Sequence, residues 1–239
     1  MKGNVLLVGA SGDIGAAIAR QLEAAGFGLL LHYNQNAKRM DELREKLRPE
    51  SILLELKADL RDEENVHALL EQLVFPVHHV VFASGAADYG LFQDVTYEKM
   101  DEMLNLHVKS PWVITKNLLP SMLSNQSGNI VFITSIWGAV GASNEVIYSS
   151  VKGAQNSFVK ALAREVGPSG VRVNAVSPGY IRTKMNAQLS EDDSNLLEAE
   201  IPLGRAGNPL DVANAVAFLL NEKSSYIHGE IMNVDGGWS

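Results

Sequence analysis

Cysteine is absent from the 239 residues, which excludes disulfides, a thiolate nucleophile and any cysteine-ligated metal. No apolar run approaches the roughly 20 residues a bilayer-spanning helix needs. The opening Met1-Lys2-Gly3-Asn4 enters a strand-like segment without a signal peptide's long apolar stretch. Positive charge is in deficit: 20 Lys and Arg against 28 Asp and Glu leave a net charge of −8. That balance argues against a nucleic-acid backbone as partner. The six His lack metal-ligand spacing, so no metal site is expected, and His78-His79 reads as a structural pair leading into a strand. These absences point to a cytoplasmic protein with no nucleic-acid, membrane or metal partner. What is present, 46% hydrophobic content, suffices for a full core in one domain spanning 1–239.

The apolar run Val5–Val8 leads into Gly9-Ala10-Ser11-Gly12-Asp13-Ile14-Gly15 and then a helical pattern through Ala25. Strand, glycine-rich turn and helix start together form an anion site. The glycines let backbone approach a pyrophosphate, and the helix N-terminus supplies N–H donors. The spacing is G-x-x-G-x-x-G rather than G-x-G-x-x-G, and a purely structural turn is the competing reading. A second strand, Gly28–Tyr33, ends in Asn34-Gln35-Asn36, and no acid appears before Asp41 to hold a ribose diol and select NAD. With Lys38 and Arg39 following, the pattern favours NADP over NAD; a solvated helix face is the other reading of those two cations.

Near the middle, Tyr148 and Lys152 are four residues apart and so share one helix face. A phenol ionises near pH 10, and a neighbouring ammonium lowers that value towards the working pH. Ser135 ends the apolar run Asn129–Thr134, where a strand delivers its hydroxyl to the same place. Such a trio donates a proton to a carbonyl oxygen or takes one from an alcohol. By itself Y-x-x-x-K is a weak signal, equally compatible with an ordinary surface helix.

Strand-like and helical segments alternate along the chain. Strands are expected at 52–56, 77–82, 130–134, 171–176 and 231–234, and helices at 37–47, 63–73, 147–166 and 211–220. The stretch 97–124 reads as mostly helical, with Pro111 as a kink or break. The alternation predicts a single-domain α/β fold, a Rossmann-like, doubly wound parallel sheet of about seven strands with helices on both faces. The polar, acidic stretch around 184–202 reads as a substrate lid.

Taken together, these motifs resemble those of the short-chain dehydrogenase/reductase family over nearly the whole chain. The likeness rests on Gly9–Gly15, Asp59, Ser135, Tyr148-x-x-x-Lys152, Pro178-Gly179 and the tail Asn233–Gly237; Ser135 and Tyr148 are thirteen residues apart, as expected for one pocket. The resemblance implies an NAD(P)-dependent carbonyl reductase assembled as a homotetramer, acting on a carbonyl substrate that is small or carried on a protein. It assigns the cofactor to Gly9, Ser11, Gly12, Asp13, Ile14, Gly15 and Asn34, with Asp59 and Leu60 bordering the adenine. Ala83, Gly85, Pro178, Gly179, Ile181 and Thr183 would line the rest. Tyr148 would be the general acid, Ser135 would steady the carbonyl oxygen, and Lys152 would hold the nicotinamide ribose and lower the Tyr148 pKa.

Three positions depart from the family pattern. Val8 replaces a threonine before the first glycine, and Phe82-Ala83-Ser84-Gly85 replaces Asn-Asn-Ala-Gly. His107 stands where the fourth catalytic member, an asparagine, is expected; it would relay protons or serve only as a backbone-bonded helix residue. Among branches the chain resembles 3-oxoacyl-carrier-protein reductases, and more closely the elongation factor P 5-aminopentanone reductases, through Thr134–Ser143 and His107. The arginines that grip an acidic carrier correspond to uncharged Gln126 and Ser169. The readings are therefore reduction of a ketone on modified elongation factor P, a 3-oxoacyl reductase of fatty-acid synthesis, or a non-catalytic cofactor-binding regulator.

Overall fold

Each expected apolar run is a parallel strand in the computed structural model, which describes residues 2–186 and 190–239. The strands are β1 (Asn4–Val8), β2 (Gly28–Tyr33), β3 (Ile52–Lys57), β4 (His79–Phe82), β5 (Gly128–Ile133), β6 (Val171–Pro178) and β7 (Ile231–Val234). They form one seven-stranded sheet in the order β3-β2-β1-β4-β5-β6-β7. The fold is thus the expected doubly wound α/β sheet.

Alternate residues of these strands face opposite layers, as the two-residue period of a strand requires. Val5, Leu7, Leu29 and Leu31 pack against α1 (Asp13–Ala24), α2 (Ala37–Arg44) and α9 (Pro209–Leu219). Leu6, Val8, Leu30 and Val80 pack on the other side against α3 (Glu63–Glu71), α5 (Ser110–Ser124) and α7 (Val146–Val166). Both faces being covered explains why the strands read as unbroken apolar runs rather than as alternating ones. The remaining helices are α4 (Tyr97–Leu104), α6 (Trp137–Val140) and α8 (Glu191–Glu200).

The chain winds outward in both directions from β1 and β4, so their carboxyl ends flank the point where strand order reverses. A crevice opens there for a ligand.

Pro111 does not break the long helix, contrary to one expectation. It lies in the first turn of α5, and the distortion falls just before it, as a π-helical turn over Asn105–Lys109. Proline has no N–H, so the His107 carbonyl has no α-helical donor four residues on. The Ser110 N–H bonds the Asn105 carbonyl, five residues back, and the turn widens around His107. In the 184–202 stretch, α8 begins with a Ser190 side-chain cap and buries none of its residues; positions 187–189 lie outside the described residues.

Candidate active site

The glycine turn after β1 depends on glycine at two of its positions. Gly9 has φ +93°, and a Cβ there would lie 2.5 Å from the Ser84 nitrogen in the segment after β4. A Cβ on Gly15 would collide with the Gly9 carbonyl oxygen, so α1 could not approach the turn. Gly12 caps α1 without any side-chain bond, leaving the first N–H groups of that helix for an anion. Ile14 packs on the core, and Ser11 is half-buried at the rim. The backbone therefore fits a dinucleotide pyrophosphate.

His32 on β2 anchors this turn and was not foreseen as part of the site. Its Nδ1 accepts the Gly9 N–H at 3.2 Å, which leaves Nε2–H to donate to the Ala58 carbonyl at 3.0 Å. Burial lowers its pKa to about 4, so the ring is neutral and the tautomer is fixed. The imidazole supplies a contact to the turn in a chain whose Val8 carries no hydroxyl.

Asp13, at the start of α1, would oppose an anion if it were free. Instead it accepts from Arg39 Nη2 at 2.5 Å and from the Lys184 N–H at 2.7 Å. Burial acts to raise its pKa, but the Lys184 N–H and the Arg39 guanidinium outweigh it and hold the carboxylate low. Arg39 is thus engaged at the glycine turn, while Lys38 is exposed.

At the outer edge, Asp59 is gripped by Arg61, Nη2 to Oδ2 at 2.5 Å and Nε to Oδ1 at 2.9 Å. That bond, opposed by burial, lowers the Asp59 pKa to about 2; Asn34 also bonds the carboxylate. No sequence motif marks Arg61, which stands two residues before α3. Leu60 is 2% exposed and its side chain packs into the core beneath this edge. Only its backbone is left for that edge, and its carbonyl accepts from Ser110 Oγ at 2.5 Å.

The remaining positions line the same edge of the sheet. Ala83 bonds back to the Val8 carbonyl at 2.8 Å. A Cβ on Gly85 would come within 3.1 Å of the His107 ring. Pro178 closes β6, Gly179 packs on Asp235, and Ile181 is buried in a bridge to Gly207, with half-buried Thr183 beyond it.

Ser135, Tyr148, Lys152 and His107 converge at the end of β5. Ser135 is held by the Trp137 N–H, which donates to its Oγ at 3.2 Å. A Cβ on Gly138 would lie 2.7 Å from the Lys152 carbonyl carbon, so this glycine lets α6 lie against the catalytic face of α7. The Lys152 Nζ stands 5.6 Å from the centroid of the Tyr148 ring. The His107 ring meets the Tyr148 ring edge-on, with centroids 5.8 Å apart.

One electrostatic expectation is corrected here. Lys152 does not lower the Tyr148 pKa in this site. Its Nζ donates to the Ile133 carbonyl at 2.9 Å and to Gln155 Oε1 at 3.2 Å rather than to the phenol. Burial, then the charge of Glu145, raise Tyr148 to about 12, with the Ser135 hydroxyl bond acting the other way. Burial brings Lys152 down to about 7, within reach of proton exchange at neutral pH.

The sequence allows His107 to be either a proton relay or a backbone-bonded helix residue. Burial, then the nearby Lys152, depress it to about 3, so it stays neutral. Its Nε2 is 2.9 Å from the Ala86 carbonyl, the backbone-bonded reading, while Nδ1 is buried without a partner. Asn105 faces away and donates to the Arg61 carbonyl at 3.1 Å.

Glu145 is a further residue that sequence reasoning missed. It precedes α7, is 8% exposed, and its carboxylate has no hydrogen-bond or ion-pair partner among the described residues. Burial raises its pKa.

A nucleotide cradle at the strand-order reversal, one strand away from a buried tyrosine–lysine–serine cluster, defines a dinucleotide-dependent oxidoreductase scaffold. The family model described as Enoyl-(Acyl carrier protein) reductase matches residues 9–239. The chain belongs to the short-chain dehydrogenase/reductase family. It is 48% identical over 240 residues to the "Uncharacterized oxidoreductase YmfI" of Bacillus subtilis, covering 100% of this chain and 99% of that one. It is 36% identical to the 3-oxoacyl-[acyl-carrier-protein] reductase FabG of Aquifex aeolicus, covering 99% and 98%. A solved structure from Beutenbergia cavernae, with NADP bound at low occupancy, matches with a TM-score of 0.90 at 30% identity, covering 98% and 96%.

Proposed function

We propose that this protein is an NADPH-dependent carbonyl reductase whose substrate is a ketone carrying a positive charge, as on modified elongation factor P. The observation that carries the reductase reading is the convergence of Ser135, Tyr148 and Lys152 beside the nucleotide cradle. The nicotinamide cofactor supplies the hydride when bound. Gly9, Gly12 and Gly15 would hold its pyrophosphate, with Asn34 and the backbone at Asp59 and Leu60 at its outer end. The segment from Pro178 to Thr183 would border the nicotinamide. Tyr148 holds the proton for the carbonyl oxygen, and Ser135 donates to that oxygen as negative charge develops. Lys152 holds the proton behind Tyr148.

The absence of an acid after β2 and the presence of Asn34 favour NADPH over NADH. Glu145 supports the charged substrate. Its partly buried carboxylate, held above its usual pKa by burial, would be favoured in its charged form by an incoming ammonium. The same carboxylate would repel an anionic acyl carrier. The acyl-carrier reading has the FabG likeness in its favour; Gln126 and Ser169, where arginines would grip the carrier, weigh against it. The intact trio weighs against a non-catalytic regulator. A cytoplasmic homotetramer, with 184–202 closing over the substrate, completes the proposal.

The test is mass spectrometry of elongation factor P from cells with and without the protein. Accumulation of the ketone form, two mass units below the alcohol, is the expected result; an unchanged spectrum overturns the substrate assignment. NADPH oxidation with a 3-oxoacyl thioester on carrier protein tests the second reading.

A further inference from the structure

Pro111 leaves the His107 carbonyl without a helical donor, and the structure shows what takes that place. Gln155, one turn beyond Lys152 on α7, donates Nε2–H to the His107 carbonyl at 2.6 Å. Its other end, Oε1, accepts from Lys152 Nζ at 3.2 Å. Gln155 is 4% exposed, Lys152 3% and His107 0%, so solvent does not substitute for either bond. The carboxamide has only one workable orientation. A carbonyl oxygen accepts and an ammonium donates, so the NH2 must face His107 and the oxygen must face Lys152.

We propose that Gln155 is a positioning residue for the reduction: its carboxamide ties the Lys152 ammonium to the widened turn at His107 and aims its remaining N–H. This inference rests on the reductase reading. An ammonium has three N–H donors. The Ile133 carbonyl and Gln155 Oε1 take two, from opposite elements, and the third is left for the reacting side of the cleft. Both acceptors favour the charged lysine and work against the burial that discharges it. Gln155 has no titratable proton, so it orients Lys152 without serving as a proton carrier. The π turn, Pro111 and Gln155 therefore form one device. The proline frees a carbonyl, the glutamine reads it, and the lysine is fixed.

The groups facing Lys152 that also titrate are few. Tyr148 comes from its own helix, and His107, held neutral, from the widened turn; β5 presents the Ile133 carbonyl, and Glu145, just before α7, acts on Tyr148. A change at Gln155 should therefore be read directly in the titration of Lys152.

The experiment is a pH titration by NMR of cofactor-free protein labelled with 13C at lysine Cε, with Lys152→Ala identifying the resonance. Native Lys152 is expected to titrate near 7, well below the surface lysines. Gln155→Leu removes the acceptor and should lower that midpoint by about one unit; Gln155→Glu places a carboxylate there and should raise it by about one unit. The basic limb of the pH profile for NADPH-dependent carbonyl reduction should shift in the same two directions. If both variants lose activity while Lys152 titrates as in the native protein, or if both shift it the same way, Gln155 is packing only and the proposal fails. If the titrations shift as expected but no carbonyl is reduced at any pH, the positioning stands and the reductase reading falls.

Discussion

Beside β1–β3, the charges along the carboxyl edge of the sheet are paired and partly exposed, Asp13 with Arg39 and Asp59 with Arg61. Beside β5, Lys152 and Glu145 are buried without an ion-pair partner among the described residues, and buried His107 is neutral. Exposed ion pairs contribute little net energy, but they fix geometry and neutralise charge where a polyanion must lie. Buried groups are governed by desolvation, which brings a lysine to about 7 and takes a tyrosine to about 12. One end of the crevice is built for electrostatic recognition. The other is built to set where protons reside.

The contrast is broken most sharply at Tyr148. Tyr148→Phe removes the proton donor and keeps the ring, so turnover should fall by about 10²–10⁴-fold. NADPH affinity, measured by fluorescence transfer, should stay within about twofold, since the cradle lies elsewhere. Near-native turnover would remove Tyr148 from the chemistry.

At the recognition end, the largest effect is expected from Gly15→Ala. The added methyl overlaps the Gly9 carbonyl, so α1 must move away from the turn. NADPH binding should weaken by at least about fivefold, as overpacking of one to several kcal/mol implies. An unchanged dissociation constant would show that the cradle is not where the cofactor binds.

Acid stability tests the burial of the histidines. His32 and His79 have pKa values lowered from 6.5 to about 4, and His107 from 6.5 to about 3, in each case chiefly by burial. The unfolded chain binds these protons first, so their contribution is complete above pH 6.5 and is lost as pH falls through 4 towards 3. The melting temperature should therefore drop steadily from pH 6.5 to pH 4. His107→Asn should flatten that dependence, and an identical slope would mean that His107 titrates normally.

The strands and the nucleotide turn were legible because their signals are local. Gly28–Tyr33 is an apolar run between turns, and Gly9–Gly15 carries its own punctuation. Ser135, Tyr148 and Lys152 were legible as spaced motifs. What stayed hidden depends on partners distant in sequence. Gln155 reads a carbonyl 48 residues away, and His32 a glycine turn 23 residues away. The π turn leaves the apolar pattern of 97–124 nearly continuous; Pro111 signalled a disturbance but not its form. Burial, the leading cause of each pKa shift at the catalytic end, belongs to the packed molecule and not to any local stretch.

A subtler change should follow from Arg39→Ala, which leaves Asp13 uncompensated at the start of α1. NADPH binding should weaken about two- to fivefold, the size of a helix-terminus charge effect. Lys38→Ala should weaken NADPH and leave NADH unchanged if that exposed lysine meets the 2′-phosphate; equal losses for both cofactors would assign it to a solvated face.

Salt separates the two ends in one experiment. Raising ionic strength from about 0.05 to about 0.5 M shortens the screening length severalfold, which weakens exposed charges far more than buried ones. Single-turnover reduction, followed by NADPH absorbance across cofactor concentrations, yields both the cofactor dissociation constant and the rate at saturation. The account predicts a dissociation constant that rises several-fold and a saturated rate that stays within about 1.5-fold. A saturated rate that falls in step with affinity would contradict it, because the catalytic charges would then be exposed to solvent like those that hold the cofactor.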